Sequence, residues 1–229
     1  MYIIVITIII IMATTILLPA TVNVQNKAYL YQIDPRERLE SLLHSVRQWL
    51  TKTKFNIVLV ENSGHTFPEL NQEIQDYKER FEIISFNEPI IAPELTGNLS
   101  KGASELFALH YALRASHILQ TKTNFVIKVT GRYFIPELEE YLKDIDLNTY
   151  DVITQNNPGC CEMVGCHMKN VDTMFYPIPI NQYGQYEAHL EFVIKFRGEQ
   201  FTNVLHCKQF PIEPTVRGGF PKNEPLSFI

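Results

Sequence analysis

The sequence predicts an α/β domain: a mostly parallel central sheet with helices on both faces. Three observations predict it. Short apolar runs alternate with amphipathic stretches of helical period, the pattern of parallel strands joined by helical crossovers. Several of those runs, FNIVLV and FVIKV among them, show little polar alternation, as strands covered on both faces do. The chain has 229 residues, 45% hydrophobic and 20% charged, which suits one substantial core rather than two. No internal repeat, heptad or low-complexity block divides it, so residues 1–229 are read as one domain.

The first element has two readings. Residues 2–22 carry no charge and are almost entirely apolar. Their wealth of Ile, Val and Thr disfavours a free helix and suits a buried strand, and a soluble cytoplasmic protein follows. Their length also suits a membrane span, and an anchored protein follows from that. No Lys or Arg precedes the run, so the basic start of a signal peptide is missing.

Asp34, Pro35 and Glu37 then form a helix start, with the cap, the first-turn proline and an acidic third position. Helix 35–50 places Leu39, Leu42, Leu43, Val46 and Leu50 on one face, with Trp49 as core packing. Arg38 stands one turn after Asp34, spaced for a surface ion pair. Strand 55–60 ends in Glu61, Asn62, Ser63 and Gly64. A helix over 68–80 and a strand over 81–86 follow. After a loop over 87–100, Ser100 caps a helix running to Leu119. Strand 125–129 breaks at Thr130, Gly131 and Arg132. A short helix over 136–142 and a strand over 150–154 come next. Residues 155–181 read as irregular, 182–196 as a helix, 204–210 as a last strand, and 211–229 as an irregular tail.

The net charge of −5, with no basic block, argues against a nucleic-acid groove. Cys160, Cys161, Cys166 and Cys207 are too few for a disulfide scaffold. With His167 and His206 they hold the right atoms for zinc but lack C-x₂-C spacing, so small buried thiols are the simpler reading.

In open α/β sheets ligands bind beyond the carboxyl ends of the strands. That directs attention to Thr14 and Thr15, to Glu61, Asn62 and Ser63, to Thr130, Gly131 and Arg132, and to Gln155 and Asn156. Lys101-Gly102-Ala103-Ser104-Glu105 opens a helix, whose free N–H groups suit a phosphate. Plain capping by Ser100 explains the same residues. The spacing is not that of a Walker A loop.

The order of several motifs resembles GT-A-like nucleotide-sugar glycosyltransferases, of bacterial and viral origin, that act on surface glycans. The pieces are MATTILLP closing the first strand, DPRERL, VLVENSG, SKGASE, FVIKVTGRYFI, YDVITQ, CEMVG, and the Glu-containing stretch YEAHLEFV. The resemblance implies one GT-A-like domain and a nucleoside diphosphate sugar as donor substrate, with a glycan hydroxyl as acceptor. Thr15, Glu61, Asn62 and Ser63 would contact the nucleoside. Lys101, Gly102 and Glu105 would line the site beside it, and Lys128, Gly131 and Arg132 would lie near the diphosphate or sugar. A donor-facing role for Arg38 also follows from it.

One departure matters. The family carries an Asp-x-Asp pair where this chain has Thr130-Gly131-Arg132, and its carboxylates hold a divalent cation. The only literal pair, Asp144-Ile145-Asp146, precedes a strand. No metal ligands are therefore assigned and no cofactor is required, although Mn²⁺ or Mg²⁺ stays compatible. Arg132, Lys101 and Arg217 would supply positive charge to the leaving diphosphate. The base that deprotonates the acceptor would be Glu191 first, since it fits the family's Glu-containing helix best, or else Glu187 or Glu162. Glu187 and Glu191 are four apart on the expected helix, and ordinary solvated glutamates would look the same.

Two competitors remain. A sugar nucleotidyltransferase needs a glycine-rich loop after the first strand, and residues 17–33 contain no glycine. A non-catalytic glycan- or nucleotide-binding domain would explain the missing Asp-x-Asp.

Overall fold

The computed structural model describes residues 13–24, 27, 30–95, 100–157, 159–178, 189–217 and 224–229. The readings of residues 2–12, as strand or membrane span, lie outside them. The strands are β1 (Thr14–Ala20), β2 (Asn56–Glu61), β3 (Phe81–Ser85), β4 (Phe125–Val129), β5 (Val152–Thr154), β6 (Met163–His167), β7 (Val204–His206), β8 (Pro211–Val216) and β9 (Pro225–Phe228). The helices are α1 (Pro35–Lys52), α2 (Asn71–Asp76), α3 (Glu88–Ile91), α4 (Lys101–Ala115), α5 (His117–Thr121), α6 (Leu138–Leu142), α7 (Val171–Met174) and α8 (Leu190–Gly198). Among the described residues, no helix is long and apolar enough to cross a membrane.

Seven strands form one sheet in the order β3-β2-β1-β4-β6-β5-β7. β6 runs antiparallel to β4 and β5, and the other pairings are parallel. Both faces are covered. Ile16, Leu18 and Ala20 of β1 meet Leu42, Val46, Trp49 and Leu50 of α1 on one side. Leu17 of β1, with Val58 and Val60 of β2, meets Leu106, Leu109, Ala112 and Leu113 of α4 on the other. Side chains alternate across a strand, so each strand feeds both cores.

The helix starts form as their sequences dictate. Asp34 Oδ1 accepts from the N–H groups of Arg36 and Glu37, at 2.8 and 3.2 Å. Ser100 Oγ accepts from Ala103 N at 3.2 Å. The helix expected over 101–119 is broken at Ser116, whose backbone is extended. Glu82 holds the break by accepting from Ser116 Oγ and from the N–H groups of His117 and Ile118. The stretch 68–80 shortens to a 3₁₀ turn over Pro68–Leu70 followed by α2.

Two segments read as irregular are strands. β6 lies within 155–181, where Gly165 concealed it. A Cβ there would stand 2.7 Å from Val126 O, so only glycine permits the pairing with β4. The tail folds into the β8–β9 hairpin despite Pro211 and Pro214, with an irregularity between Pro211 and Thr215. A two-stranded ribbon has open edges that tolerate proline.

Helix α8 begins only after His189, whose backbone is extended. A continuous helix over 182–196 is thereby corrected, and with it the shared face of Glu187 and Glu191. Glu187 itself lies outside the described residues.

Candidate functional site

The carboxyl ends of β1, β2, β4 and β5 point the same way, and β6 enters at that rim. The antiparallel pairing sets Glu162 beside the end of β4, where Thr130 N donates to Glu162 O at 2.8 Å. The rim thus gathers residues 20–23, 61–63, 130–132, 155–157 and 160–162.

Thr15 is not there. It pairs with Asn56 and Val126 at the starts of β2 and β4, and it is fully buried. Its hydroxyl lies 2.6 Å from Thr123 Oγ1. The strand begins at the ATTI motif rather than ending there, so Thr15 lies at the opposite end of the sheet from the rim where the nucleoside contact is expected. The rim residues of β1 are instead Thr21, Val22 and Asn23.

Glu61, Asn62 and Ser63 do reach the rim, but their side chains are spent on the loops. Glu61 is fully buried and accepts from Val22 N, Ser63 N and His65 N at 3.0, 2.9 and 2.9 Å, and from Ser63 Oγ. Asn62 accepts from Thr21 Oγ1 at 2.6 Å and donates to Glu88 Oε2 at 2.7 Å. Ser63 Oγ accepts from Asn23 N at 2.9 Å. Glu88 in turn accepts from Ser104 Oγ and pairs with Lys27. Buried polar groups must find partners, and this network finds them by tying the turns after β1 and β2 to α3 and α4. The Glu61 and Asn62 side chains, expected to face the donor, are thus engaged with the loops.

Lys128 is engaged in the same way. Its side chain is 2% exposed and Nζ lies 2.5 Å from Glu105 Oε1. Nζ also donates to Cys161 O at 2.5 Å and Thr130 Oγ1 at 3.3 Å, so all three hydrogens serve the protein. Burial works against its charge, but Glu105, with Cys161 and Glu162, outweighs burial and holds Lys128 above the usual lysine range. Lys128 thus ties β4 to α4 and to the segment just ahead of β6.

Both glycines are spacers. A Cβ at Gly131 would stand 2.5 Å from Pro19 O, and Gly131 N donates to that oxygen at 3.1 Å. A Cβ at Gly102 would stand 2.7 Å from Leu190 Cβ, where α4 packs on α8. The start of α4 is therefore partly covered by α8, although Lys101 is exposed.

The remaining charges converge. Arg132 is half-buried, and burial lowers its pKa while Tyr133 and Glu105 oppose the shift. Burial raises the Cys160 thiol, with Glu162 and Glu191 adding to it and Arg217 opposing. Burial also raises the Tyr133 phenol, on which Arg132, Glu162, Arg217 and Lys128 all act. Glu105, Lys128, Arg132, Glu162, Glu191 and Arg217 thus share one electrostatic neighbourhood. Arg38, expected on the surface, is 8% exposed and makes no ion pair with Asp34.

A cavity of about 460 Å³ opens at this rim, within the roughly 300–1,000 Å³ of small-ligand sites. Gln155, Asn156, Cys160, Glu162, Gln209 and Arg217 line it, and residues 225–229 close one side. Among the described residues Glu162 Oε2 is buried with no hydrogen-bond partner. Gln209 and the 225–229 segment were not legible as site residues, because nothing in the tail marked it as strand.

Among the described residues no three His, Cys, Asp or Glu side chains gather to hold a metal. Asp144 and Asp146 stand ahead of β5, at its amino end. All four cysteines are free thiols, with Cys161, Cys166 and Cys207 buried. Burial pushes Cys207 up to about 12.

No known family and no curated protein matches the chain in sequence. Solved structures of similar shape include a nucleotide-diphospho-sugar transferase from Desulfovibrio desulfuricans (14% identity, TM-score 0.46, 86% of this chain and 80% of that one). A second is TarS of S. aureus in complex with UDP (12%, 0.48, 86% and 58%). A third is a cytidylyltransferase from Leptospira borgpetersenii (10%, 0.46, 94% and 82%). The chain thus spans under two thirds of the TarS structure. At these values the likenesses assign the chain no activity.

Proposed function

We propose that the chain is a glycosyltransferase that moves a sugar from a nucleoside diphosphate sugar to a glycan hydroxyl. One observation carries the reading. A carboxylate oxygen of Glu162 is buried without a partner at the wall of a cavity that Arg217 also lines. A buried, unpaired carboxylate oxygen is unfavourable by about 1–3 kcal/mol or more, and catalytic sites are where such groups are kept. The motif order described above supports the same class.

Glu162, which lines the cavity, takes the proton of the acceptor hydroxyl on its carboxylate. The acceptor oxygen attacks the anomeric carbon, and the bond from that carbon to the diphosphate breaks. The electron pair leaves on the diphosphate oxygen, where Arg217 and Arg132 stabilise the charge. This single displacement inverts the anomeric configuration. Glu191, in the first turn of α8, serves the acceptor side. Glu162 replaces Glu191 as the preferred base, because Glu162 lines the cavity. The arginines supply charge at the rim where the sequence has Thr130-Gly131-Arg132, so transfer proceeds without a divalent ion. The β8–β9 hairpin, which contributes residues 225–228 to the cavity, closes over the diphosphate.

The test is a panel of UDP-, GDP- and CMP-sugars, with and without Mn²⁺, followed by thermal shift and donor consumption. Ligands that bind the folded state raise its melting point. One donor is expected to stabilise the protein and be consumed without metal. The Glu162→Gln variant is expected to keep binding and to lose about 10²–10⁴-fold in transfer. Consumption of no donor in either condition would leave a binding module. Release of pyrophosphate from a nucleoside triphosphate and a sugar phosphate would make the chain a nucleotidyltransferase.

A further inference from the structure

Gln155, just past the carboxyl end of β5, lines the cavity and is 4% exposed. The sheet fixes it twice. Thr154 of β5 pairs with Val164 of β6. One step on, Gln155 N donates to Met163 O at 3.3 Å, and Gln155 Oε1 accepts from Met163 N at 2.9 Å. The amide oxygen is thereby committed to β6. Turning the amide over would set its NH₂ against the Met163 N–H, donor against donor. The NH₂ group is the branch left to serve the cavity, and among the described residues it has no acceptor.

A buried amide held in one orientation with its donors unspent is unfavourable unless the space beside it supplies an acceptor. Asn156, Asn157 and Gln209 also line the cavity, but they are exposed and already hydrated. Glu162 immediately precedes Met163 and lines the same cavity. The antiparallel pairing therefore sets a neutral donor, the Gln155 NH₂, and an anionic acceptor, the Glu162 carboxylate, at adjoining positions of one wall.

A donor beside an acceptor suits a ligand group that is both. A hydroxyl has one hydrogen and two lone pairs. Its hydrogen goes to Glu162, one lone pair accepts from Gln155, and the second pair stays free to attack. An ammonium has no lone pair for Gln155, and an anion would meet Glu162 as a like charge. We propose that Gln155 binds the acceptor hydroxyl and orients it against Glu162. The proton passes to Glu162 as the free pair forms the new bond to the anomeric carbon; Gln155 donates its hydrogen bond throughout and exchanges no proton. Holding the reacting oxygen in that geometry lowers the barrier. This deepens the transferase reading and rests on it for the fate of the hydroxyl. Contact between the amide and a sugar does not depend on transfer.

The experiment titrates methyl glycosides of neutral hexoses into the full chain, labelled for nitrogen NMR. The Gln155 side-chain NH₂ resonance is identified by its loss in Gln155→Met. At least one glycoside is expected to shift it saturably, and the analogue lacking the receiving hydroxyl to leave it in place. With the sugar nucleotide that wild type consumes, both Gln155→Met and Gln155→Glu should raise the KM for the glycoside by about 2–10-fold, the loss of one neutral hydrogen bond. The KM for the donor and its slow hydrolysis by water should not change. Should Gln155→Met fail to fold, Gln155→Glu decides, because it keeps an oxygen for Met163 N. A folded variant with the wild-type KM for the glycoside overturns the assignment and leaves transfer standing. A resonance unmoved by every glycoside overturns it too. A shifted resonance with no sugar nucleotide consumed keeps Gln155 as a sugar contact and removes the transferase reading.

Discussion

Replacing Lys128 by methionine separates a structural lysine from a donor contact. The side chain is 2% exposed and its three N–H groups go to Glu105, Cys161 O and Thr130 Oγ1. Methionine fills the volume but strands Glu105 and leaves the Cys161 carbonyl without its donor. Removing one partner of a buried pair destabilises by about 3–5 kcal/mol. Glu105 is 25% exposed and regains some water, which places the expected loss near the lower end, at about 3 kcal/mol. For a chain of this size that lowers Tm by roughly 6–12 °C. Urea unfolding of wild type, Lys128→Met and Lys128→Met/Glu105→Leu measures it. The double variant is expected to recover most of the loss, because an apolar pair replaces an ion pair at little net cost. The pH dependence carries a sign as well. Lys128 is held above its ordinary 10.5 in the folded state. Its contribution is therefore complete below about pH 10.5 and is lost as pH rises through the folded value. The difference between wild type and Lys128→Met should shrink only in that alkaline range. A loss under 1 kcal/mol, with weakened donor binding, would refute the cross-link and restore the donor contact.

Three further outcomes are expected. Gly102→Ala puts a methyl 2.7 Å from Leu190 Cβ; overpacking of about 1–3 kcal/mol should shift α8 and Glu191 with it, read as lower Tm and slower transfer. Asp151 is held below its ordinary 3.8, chiefly by its hydrogen bond from Lys169, with Asn170 and Asn203 assisting. Its stabilisation is present above that value and lost as pH falls through the folded one, so Asp151→Asn should flatten the acid limb of a Tm–pH profile. Thr15→Val should lower stability by about 1 kcal/mol through the lost bond to Thr123 and leave donor affinity unchanged. A change in affinity there would return Thr15 to the site.

The elements legible in the sequence were those whose signals are local. Strand β4 formed over the apolar run that announced it, and Asp34 and Ser100 capped as their positions implied. What failed depended on distant partners. Nothing in the run 2–22 marks which part forms the strand, so the sequence alone does not show that Thr15 stands at its start. Lys128 in FVIKV reads as a strand-end cation, and only the fold brings Glu105 of α4 to it. Glu61 and Asn62 carried the polarity expected of a site, but their partners, Thr21, Val22 and Glu88, lie on other turns. Gly165 made β6 look like a loop, which hid the reason Glu162 reaches the rim. Arg38 has the spacing of a surface pair with Asp34, while the fold turns it inward to Thr21 and Gln32.

Whether the cavity beside Glu162 receives the donor is open to direct measurement through Cys160. This thiol lines the cavity and is half-buried, whereas Cys161, Cys166 and Cys207 are buried. Its alkylation rate at mildly alkaline pH, followed at that residue by mass spectrometry, reports access to the space. With UDP-, GDP- and CMP-sugars supplied in turn, at least one is expected to slow the rate in a saturable way, and Arg132→Gln to raise the concentration required. An unchanged rate at every concentration of a sugar nucleotide that the protein consumes would contradict donor binding in this cavity.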